Sequence, residues 1–315
     1  MMMRLLKSKT NINFLGQTRR RVALAISVMV VAASIVSLAT RGLEFGIDFT
    51  GGVLLEVGYA QVANVDGIRQ DLVAAGFEKA QVQLFGADDR VLVRLPPQPD
   101  IDTQDLRALL ETALEGTGED MEILRVETVS PQVGQELTEQ GGLALIIALL
   151  LIFAYIMFRF QWKFAAGAVA ALAHDAIVTL GFFSFFGFPF DLTVVAALLA
   201  VIGYSLNDTV VAFDRIRENF FKLRGIEAEE SMNISINEML ARTLITGLTT
   251  LLVLIALLTL GGESIAPFAI ALIVGVIVGT YSSIYTAGAT ALALEVNAQD
   301  LIEPIKDPDL IDDLP

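Results

Sequence analysis

The amino-acid sequence predicts a membrane protein, an all-α bundle of six transmembrane helices with an α+β domain inserted after the first helix. Hydrophobic residues make up 54% of the 315 residues and charged residues only 18%, whereas soluble domains have about 45–50% and about 25%. Six apolar runs are long enough to cross a bilayer. One polar, acidic stretch of about a hundred residues, large enough to fold alone, separates the first run from the second.

The same composition excludes several classes of protein. The mean hydropathy of +0.64 excludes a soluble enzyme, a disordered chain and a coiled coil. The chain has no cysteine for a disulfide or a thiolate site, and its single histidine, His174, excludes a metal centre with several histidine ligands. The net charge of −15 argues against nucleic acid as a partner. We therefore expect no metal, no cofactor and no nucleic acid.

The membrane spans follow from the apolar runs. A spanning helix needs about 17–25 predominantly apolar residues, and the six runs lie at residues 22–40, 142–158, 164–186, 192–213, 243–260 and 268–291. The first run is longer than the roughly 7–15-residue core of a signal peptide, and five more runs follow. We therefore interpret it as a retained membrane anchor.

The basic residues predict the orientation, because Lys and Arg concentrate in cytoplasmic loops. They fall on one side if both termini are cytoplasmic: Arg4, Lys7, Lys9, Arg19, Arg20, Arg21, Arg159, Lys163, Arg215, Arg217, Lys222 and Arg224. The stretch 42–140, with 19 acidic and 6 basic residues, then lies outside. The predicted division is a cytoplasmic segment (1–21), the first helix (22–40), a periplasmic domain (41–141), a five-helix membrane region (142–291) and an acidic cytoplasmic tail (292–315).

The inserted stretch has the hydrophobic pattern of a small α+β domain. Strands are predicted at 53–57, 80–85, 91–95 and 123–129, with a turn at 86–90, and helices at 65–75 and 103–114. Asp102 is the expected N-cap of the second helix, and Gly116 follows its end. Pro96, Pro97 and Pro99 separate this helix from the third strand. The order βαββαβ is typical of a ferredoxin-like domain.

Ionisable groups inside the membrane are costly and usually mark a pathway or a relay. The sequence places His174 and Asp175 in the third span, Asn207 and Asp208 in the fourth, and Arg242 at the start of the fifth. Asp208 and Arg242 have similar depths on neighbouring antiparallel helices, so an ion pair is expected. The pair could be a proton-sensitive gate or a static salt bridge, and His174 and Asp175 could relay protons or only bind other helices.

Six sequence segments carry a resemblance to a known family: GIDFTGG at 46–52, VSPQVGQEL at 129–137, AHD at 173–175, GYSLNDTVVAFDRIREN at 203–219, SIN at 235–237 and ART at 241–243. Together they resemble the SecF branch of the SecD/SecF family of protein-export membrane proteins, in the resistance-nodulation-division superfamily. The resemblance covers residues from about 10 to 295. The glycine-rich segment at 46–52 lacks the lysine and the following helix of a phosphate-binding loop, so it is expected to be a turn region.

The resemblance implies a function that spacing alone does not show. It implies a non-enzymatic translocase subunit of the inner membrane that works with SecD, the SecYEG channel, SecA and the insertase YidC on unfolded preproteins, surrounded by membrane lipid. SecD and SecF use the proton-motive force to complete translocation. The implied proton pathway falls on Asp208 and Arg242, with Asp175, His174 and Asn207 as further candidates, and the periplasmic motif on Gly46, Asp48, Gly51 and Gly52.

Three other functions remain open at this point. One is half of a proton-driven exporter of small molecules or lipids from the same superfamily. Another is an intramembrane aspartyl protease built on Asp175 and Asp208, although the Gly–Asp motif of such proteases is missing. The third is a scaffold for the translocon, which differs from the favoured function only in whether protons matter.

Overall fold

The computed structural model of the protein describes residues 10–97, 103–115, 121–223, 225–262 and 265–297. The helices in these residues are α1 (Gln17–Thr40), α2 (Ile47–Thr50), α3 (Val65–Ala74), α4 (Thr103–Glu115), α5 (Pro131–Arg159), α6 (Trp162–Phe186), α7 (Leu192–Lys222), α8 (Ala228–Leu260), α9 (Ala266–Ile284) and α10 (Thr286–Ala293). The strands are β1 (Glu44–Phe45), β2 (Gly52–Tyr59), β3 (Gln81–Phe85), β4 (Ala87–Leu95), β5 (Met121–Val129) and β6 (Pro189–Phe190). Several residues of the sequence predictions lie outside the described ranges: Arg4, Lys7, Lys9, Pro99, Asp102, Gly116, Arg224 and the tail after residue 297.

Among the described residues, six helical units are long and apolar enough to cross a membrane: α1, α5, α6, α7, α8, and α9 together with α10. Several helices extend beyond the apolar runs, since α5 begins at Pro131 and α8 at Ala228. At about 1.5 Å per residue, α8 is about 50 Å long, against a hydrocarbon core of about 30 Å. The extensions of α7 and α8 are polar and bind each other, with Arg215 Nε donating to Glu238 at 2.7 Å. An apolar run therefore predicts the part of a helix that lies in lipid, and not the whole helix.

Helices α6, α7 and α9 pack on one another at the centre of the bundle. Helix α1 packs on α6, and α8 packs on α7 and α9, while α5 contacts α6 and leaves most of its surface uncovered. Small residues bring α9 against α7, because a Cβ atom on Gly275 would lie 2.1 Å from Val201 Cγ2. Gly279, four residues later, is also close to α7, because a Cβ atom there would lie 3.1 Å from Ser205 Cβ, and small residues at this spacing are typical of packed membrane helices.

The chain before α1 is anchored to α8. The backbone amide of Leu15 donates to the Asn233 side chain, and that of Ile12 donates to the Asn237 side chain, both at 2.9 Å. Leu15 has no exposed surface and belongs to the apolar core of the bundle. Asn237, part of the SIN segment, therefore has a structural role in the fold.

The inserted domain, residues 52–129, has the element order strand, helix, strand, strand, helix, strand. Its sheet order is β3-β4-β2-β5, and all neighbouring strands are antiparallel. An apolar core lies between one face of the sheet and helices α3 and α4. The predicted turn at 86–90 is wrong, because β4 begins at Ala87 and the chain reverses at Gly86, whose φ is +76°. Because glycine tolerates a positive φ, the chain reverses at Gly86 alone, and the polar residues that follow it are part of the strand and not of the turn.

The connection from α1 to the inserted domain contains the segment GIDFTGG. The sequence predicts a turn region here, and the structure instead has one turn of helix, α2, followed by two glycines with positive φ. Gly51 has φ +71° and Gly52 has φ +131°. A Cβ atom on Gly52 would lie 2.2 Å from the carbonyl oxygen of Leu95 on β4. Only glycine fits where β2 starts.

Candidate functional site

A buried carboxylate on α6 is the centre of one polar cluster inside the bundle. Asp175 has no exposed surface, and its Oδ2 accepts hydrogen bonds from Ser205 on α7 at 2.5 Å and from Ser282 on α9 at 2.7 Å. Its Oδ1 lies 3.0 Å from Nδ1 of His174. A Cβ atom on Gly279 would lie 3.5 Å from Oδ2, so this glycine leaves room for the carboxylate. The cluster joins the three central helices, as interhelical hydrogen bonds do in membrane proteins.

His174 connects this cluster to α1. Its ring faces the ring of Tyr281, with centroids 6.2 Å apart. The Tyr281 hydroxyl donates to the carbonyl oxygen of Ala23 at 2.7 Å and accepts from Ser27 at 3.2 Å. The residues predicted as proton relays, His174 and Asp175, therefore lie in a hydrogen-bonded junction of α6, α7 and α9, beside the tyrosine that binds α1.

Asp208 on α7 has a different environment. Only 5% of its surface is exposed, and its Oδ2 has no hydrogen-bond partner among the described residues. The predicted ion pair with Arg242 is wrong: within the part of the chain that the structure describes, no nitrogen of Arg242 lies within 4.0 Å of the Asp208 carboxylate. Arg242 is exposed in the middle of α8, where its charge is not buried, whereas Asp208 faces the bundle. The two charges remain within electrostatic range.

Other polar atoms near Asp208 also lack partners. The hydroxyl of Tyr204, one helical turn before Asp208, is close to the hydroxyls of Thr246, Thr250 and Thr280. Among the described residues neither this hydroxyl nor that of Thr209 meets hydrogen-bond geometry, although both are buried. Buried polar groups are nearly always hydrogen-bonded, so a group of such atoms is unusual and is typical of a functional or hydrated site.

The structure separates residues that the sequence had grouped together. Asn207 is exposed on the outside of α7, while Asp208, the next residue, is buried. Sequence reasoning missed Ser205, Ser282 and Tyr204, because serine and tyrosine occur in many spans without a partner of this kind. For Tyr204, its place one turn before Asp208 was an available signal.

An aspartyl protease would need its two carboxylates side by side. In the residues that the structure describes, Asp175 and Asp208 share no hydrogen bond. The oxygens of Asp175 are already occupied by His174 and by two serines. No group of three or more His, Asp or Glu side chains able to hold a metal occurs in the described ranges. The geometry therefore favours a polar pathway or a helix junction over a catalytic pair.

The glycine-rich motif at 46–52 lies against the start of α7, and not near Asp208. Asp48 Oδ2 accepts a hydrogen bond from the backbone amide of Leu192 at 3.0 Å. The amide of Gly46 donates to the carbonyl oxygen of Phe190 at 2.8 Å. Gly51 and Gly52 carry the chain from this contact into β2. The four motif residues thus join the inserted domain to a membrane helix.

We expect Asp175→Ala to destabilise the bundle by about 1–3 kcal/mol, because it leaves His174, Ser205 and Ser282 without their common acceptor. The measurement is thermal unfolding of the purified chain in detergent. Asp214→Ala, at an exposed position near the C-terminal end of α7, is the control and should change stability by less than about 0.5 kcal/mol. Equal effects of the two substitutions would contradict a structural role for the cluster.

Comparison with known proteins identifies the family. The model described as "Protein export membrane protein SecD/SecF, C-terminal" matches residues 109–297, and the "SecD/SecF GG Motif" model matches residues 36–61. The Protein translocase subunit SecF of Vibrio alginolyticus is 51% identical over 304 residues, covering 96% of each chain. That of Pseudomonas aeruginosa is 48% identical over 305 residues, covering 96% of this chain and 98% of the relative.

A solved structure is also similar. The crystal structure of SecDF from Thermus thermophilus, described as a translocon-associated membrane protein, matches with a TM-score of 0.82 and 36% identity. The match covers 93% of this chain and 40% of the SecDF chain, so this chain spans two fifths of that protein's length. The six apolar helices and the relatives indicate a multi-pass protein of the inner membrane. The chain belongs to the SecD/SecF family of protein-export membrane proteins, and its relatives of similar length are SecF subunits of the protein translocase.

Proposed function

We propose that this chain is the SecF-type subunit of a proton-driven protein translocase. With SecD, it uses the proton-motive force to complete preprotein translocation after the ATP-dependent step of SecA through SecYEG, and it contacts YidC. The names of the relatives support a translocase subunit. The partial coverage of the SecDF chain supports a partner that supplies the other part, which is SecD.

The observation that carries the proton step is the unpartnered oxygen of Asp208. A buried carboxylate oxygen without a donor is available to a proton or to a group from a neighbouring helix. Asp175, by contrast, already has its donors. Moving one proton down 100 mV supplies about 2.3 kcal/mol, enough to shift a two-state arrangement of helices. Asp208 is therefore the group at which we place the coupling.

Arg242 is the second part of the proposed gate. Its charge acts on Asp208 from α8 without an ion pair, so protonation of Asp208 removes an attraction between α7 and α8. The exposed Asn207 lies on the side of α7 that is free to meet the SecD-like half. His174 and Asp175 hold α6, α7 and α9 together, so these three helices move as one unit relative to α8.

We further propose that both termini are cytoplasmic and that the inserted domain is periplasmic and ferredoxin-like. The element order and the antiparallel sheet support the ferredoxin-like assignment. The basic residues cluster at the start of α1, between α5 and α6 and near the end of α7, and this clustering supports the orientation. The domain then acts on the preprotein as the preprotein emerges from the membrane, or it serves as a docking surface on the side where the preprotein is released.

The experiment uses inverted membrane vesicles with and without this chain and its SecD-like partner. A secreted precursor is first inserted with SecA and ATP, and its further translocation is then followed with and without a proton gradient. We expect a gradient-dependent phase only when both subunits are present. An equal rate in vesicles that lack this chain would contradict the proposed function, and export of a small molecule or lipid instead would favour the exporter.

A further inference from the structure

We propose that the segment 44–52 is a fixed clasp that delivers movement of α7 to the inserted domain, with Asp48 as its positioning residue. The proposal rests on the function proposed above and concerns how the proton step reaches the domain outside the membrane. The covalent routes are α1 and α5, the two helices that lead into and out of the inserted domain. The clasp adds a third route, directly from the helix that carries Asp208.

The first half of the clasp holds the N-terminus of α7. The initial amides of a helix have no partner within the helix and need acceptors. Asp191 accepts from Val194 as the local cap at 3.1 Å, while Leu192 donates to Asp48, 144 residues earlier in the chain. A carboxylate at this end of a helix also interacts favourably with the helix dipole. One cap thus belongs to α7 itself, and the other belongs to the clasp.

Further contacts make the connection broad. Strand β1 pairs in parallel with β6, directly before α7, with Phe45 opposite Phe190. The ring of Phe49 stacks on the ring of Phe190, with centroids 5.7 Å apart. The amide of Gly46 binds the same turn through the carbonyl of Phe190. The clasp therefore meets α7 through backbone pairing, aromatic packing and one carboxylate.

The second half of the clasp is joined rigidly to the inserted domain. Helix α2 passes through Gly51 and Gly52 into β2, and Gly52 lies directly against the Leu95 carbonyl of β4. Helix α2 also packs on the start of α5, where a Cβ atom on Gly134 would lie 2.6 Å from the carbonyl oxygen of Phe49. Neither contact has room for a side chain larger than the hydrogen atom of glycine. The clasp therefore has little room to move relative to the domain.

Helix α7 is continuous from the clasp to the proposed proton site. Leu192 and Asp208 are sixteen residues apart on this helix, or about 24 Å. A tilt or a slide of α7 near Asp208 therefore moves its N-terminus, and the clasp moves with it. Loss of Asp48 should weaken this transmission while the proton site itself stays intact.

The first test compares three variants, each assembled with the SecD-like partner in vesicles. Asp48→Ala removes the acceptor, and we expect the gradient-dependent phase to slow about fivefold or more while the ATP-dependent step is unchanged. Asp48→Asn keeps an acceptor oxygen, and we expect it to rescue the rate to within about twofold of the unaltered protein. Asp191→Ala is the matched control, because it removes the local cap of the same helix and leaves the clasp in place.

The second test replaces the hydrogen bond by a covalent link. The chain has no cysteine, so an introduced pair is unambiguous. A Cβ atom on Gly46 would lie 3.2 Å from Asp191 Cβ, close to the roughly 3.5–4.5 Å that a disulfide requires. We expect oxidation of Gly46→Cys with Asp191→Cys to restore the gradient-dependent phase of Asp48→Ala, and reduction to remove it again. Each single cysteine variant is the control.

The outcomes separate the clasp from the proton function. The clasp would be overturned if Asp48→Ala kept the gradient-dependent rate within twofold of the unaltered protein. It would also be overturned if the oxidised link did not restore the rate that Asp48→Ala had lost. In both cases the proposed function would still stand. Absence of that phase in the unaltered complex would overturn the function itself. If Asp48→Ala does not accumulate, the cysteine pair is tested with Asp48 present: an unchanged rate on oxidation supports a fixed clasp, and a lost phase overturns it.

Discussion

We expect Asp208→Asn to abolish the gradient-dependent phase of translocation and to leave the ATP-dependent step unchanged. The substitution keeps the size of the side chain and removes the group that can exchange a proton. Because Asp208 is buried with one oxygen unpartnered, its amide should be tolerated in the fold. The measurement is translocation of a secreted precursor into inverted vesicles after ATP-driven insertion, with and without a proton gradient.

The control for this prediction lies on the same helix. Asp214 is exposed and forms a surface ion pair with Arg159 at 3.2 Å, and such pairs contribute little to stability. Asp214→Asn should therefore leave both phases intact. Arg242→Met should reproduce the loss seen for Asp208→Asn if the two residues form one gate. If Asp208→Asn kept the full gradient-dependent phase in an assembled complex, Asp208 and Arg242 would have only a structural role.

We expect Gly52→Ala to destabilise the inserted domain by about 2–6 kcal/mol. The residue has φ +131°, a conformation essentially restricted to glycine, and holding alanine there costs about 1–3 kcal/mol. The methyl group would also meet the Leu95 carbonyl oxygen at 2.2 Å, and such overpacking adds about 1–3 kcal/mol. The measurement is the urea concentration at the midpoint of unfolding, and unfolding is detected by proteolysis of the domain in intact vesicles.

Gly76→Ala separates the two costs. Gly76 also has positive φ, at +96°, but a Cβ atom there meets nothing within 4 Å. We expect its substitution to cost only the backbone part, about 1–2 kcal/mol. If Gly52→Ala were no more damaging than Gly76→Ala, the close approach of β2 to β4 would not be a constraint. Loss of the domain in Gly52→Ala should also abolish the gradient-dependent phase.

The membrane spans and the family could be predicted from the sequence. Lipid imposes a minimum length on apolar runs, and this requirement acts locally along the chain, so all six spans were found. The strands and helices of the inserted domain also appeared at nearly their observed places, because alternation and helical periodicity are local patterns. The ends of α5, α7 and α8 were missed, since residues outside the lipid stay helical only where another helix binds them.

The predicted ion pair shows where such reasoning stops. Similar depth brought Asp208 and Arg242 to the same level of the membrane, but depth says nothing about rotation around the helix axis. One side chain faces the bundle and the other faces outward. Asn207 was grouped with Asp208 for the same reason, although adjacent helical residues point in directions about 100° apart.

The sequence by itself determined that this protein lies in a lipid membrane. It also determined the number of its spans, its family and the identity of its few ionisable groups in the membrane. Only the tertiary structure decided which of these groups have partners. Asp175 meets Ser205 and Ser282, 30 and 107 residues away, and Asp48 meets Leu192 144 residues away. The physical reason is that local patterns arise from each segment's own contact with lipid or water, whereas hydrogen bonds between distant segments depend on how the helices rotate and pack.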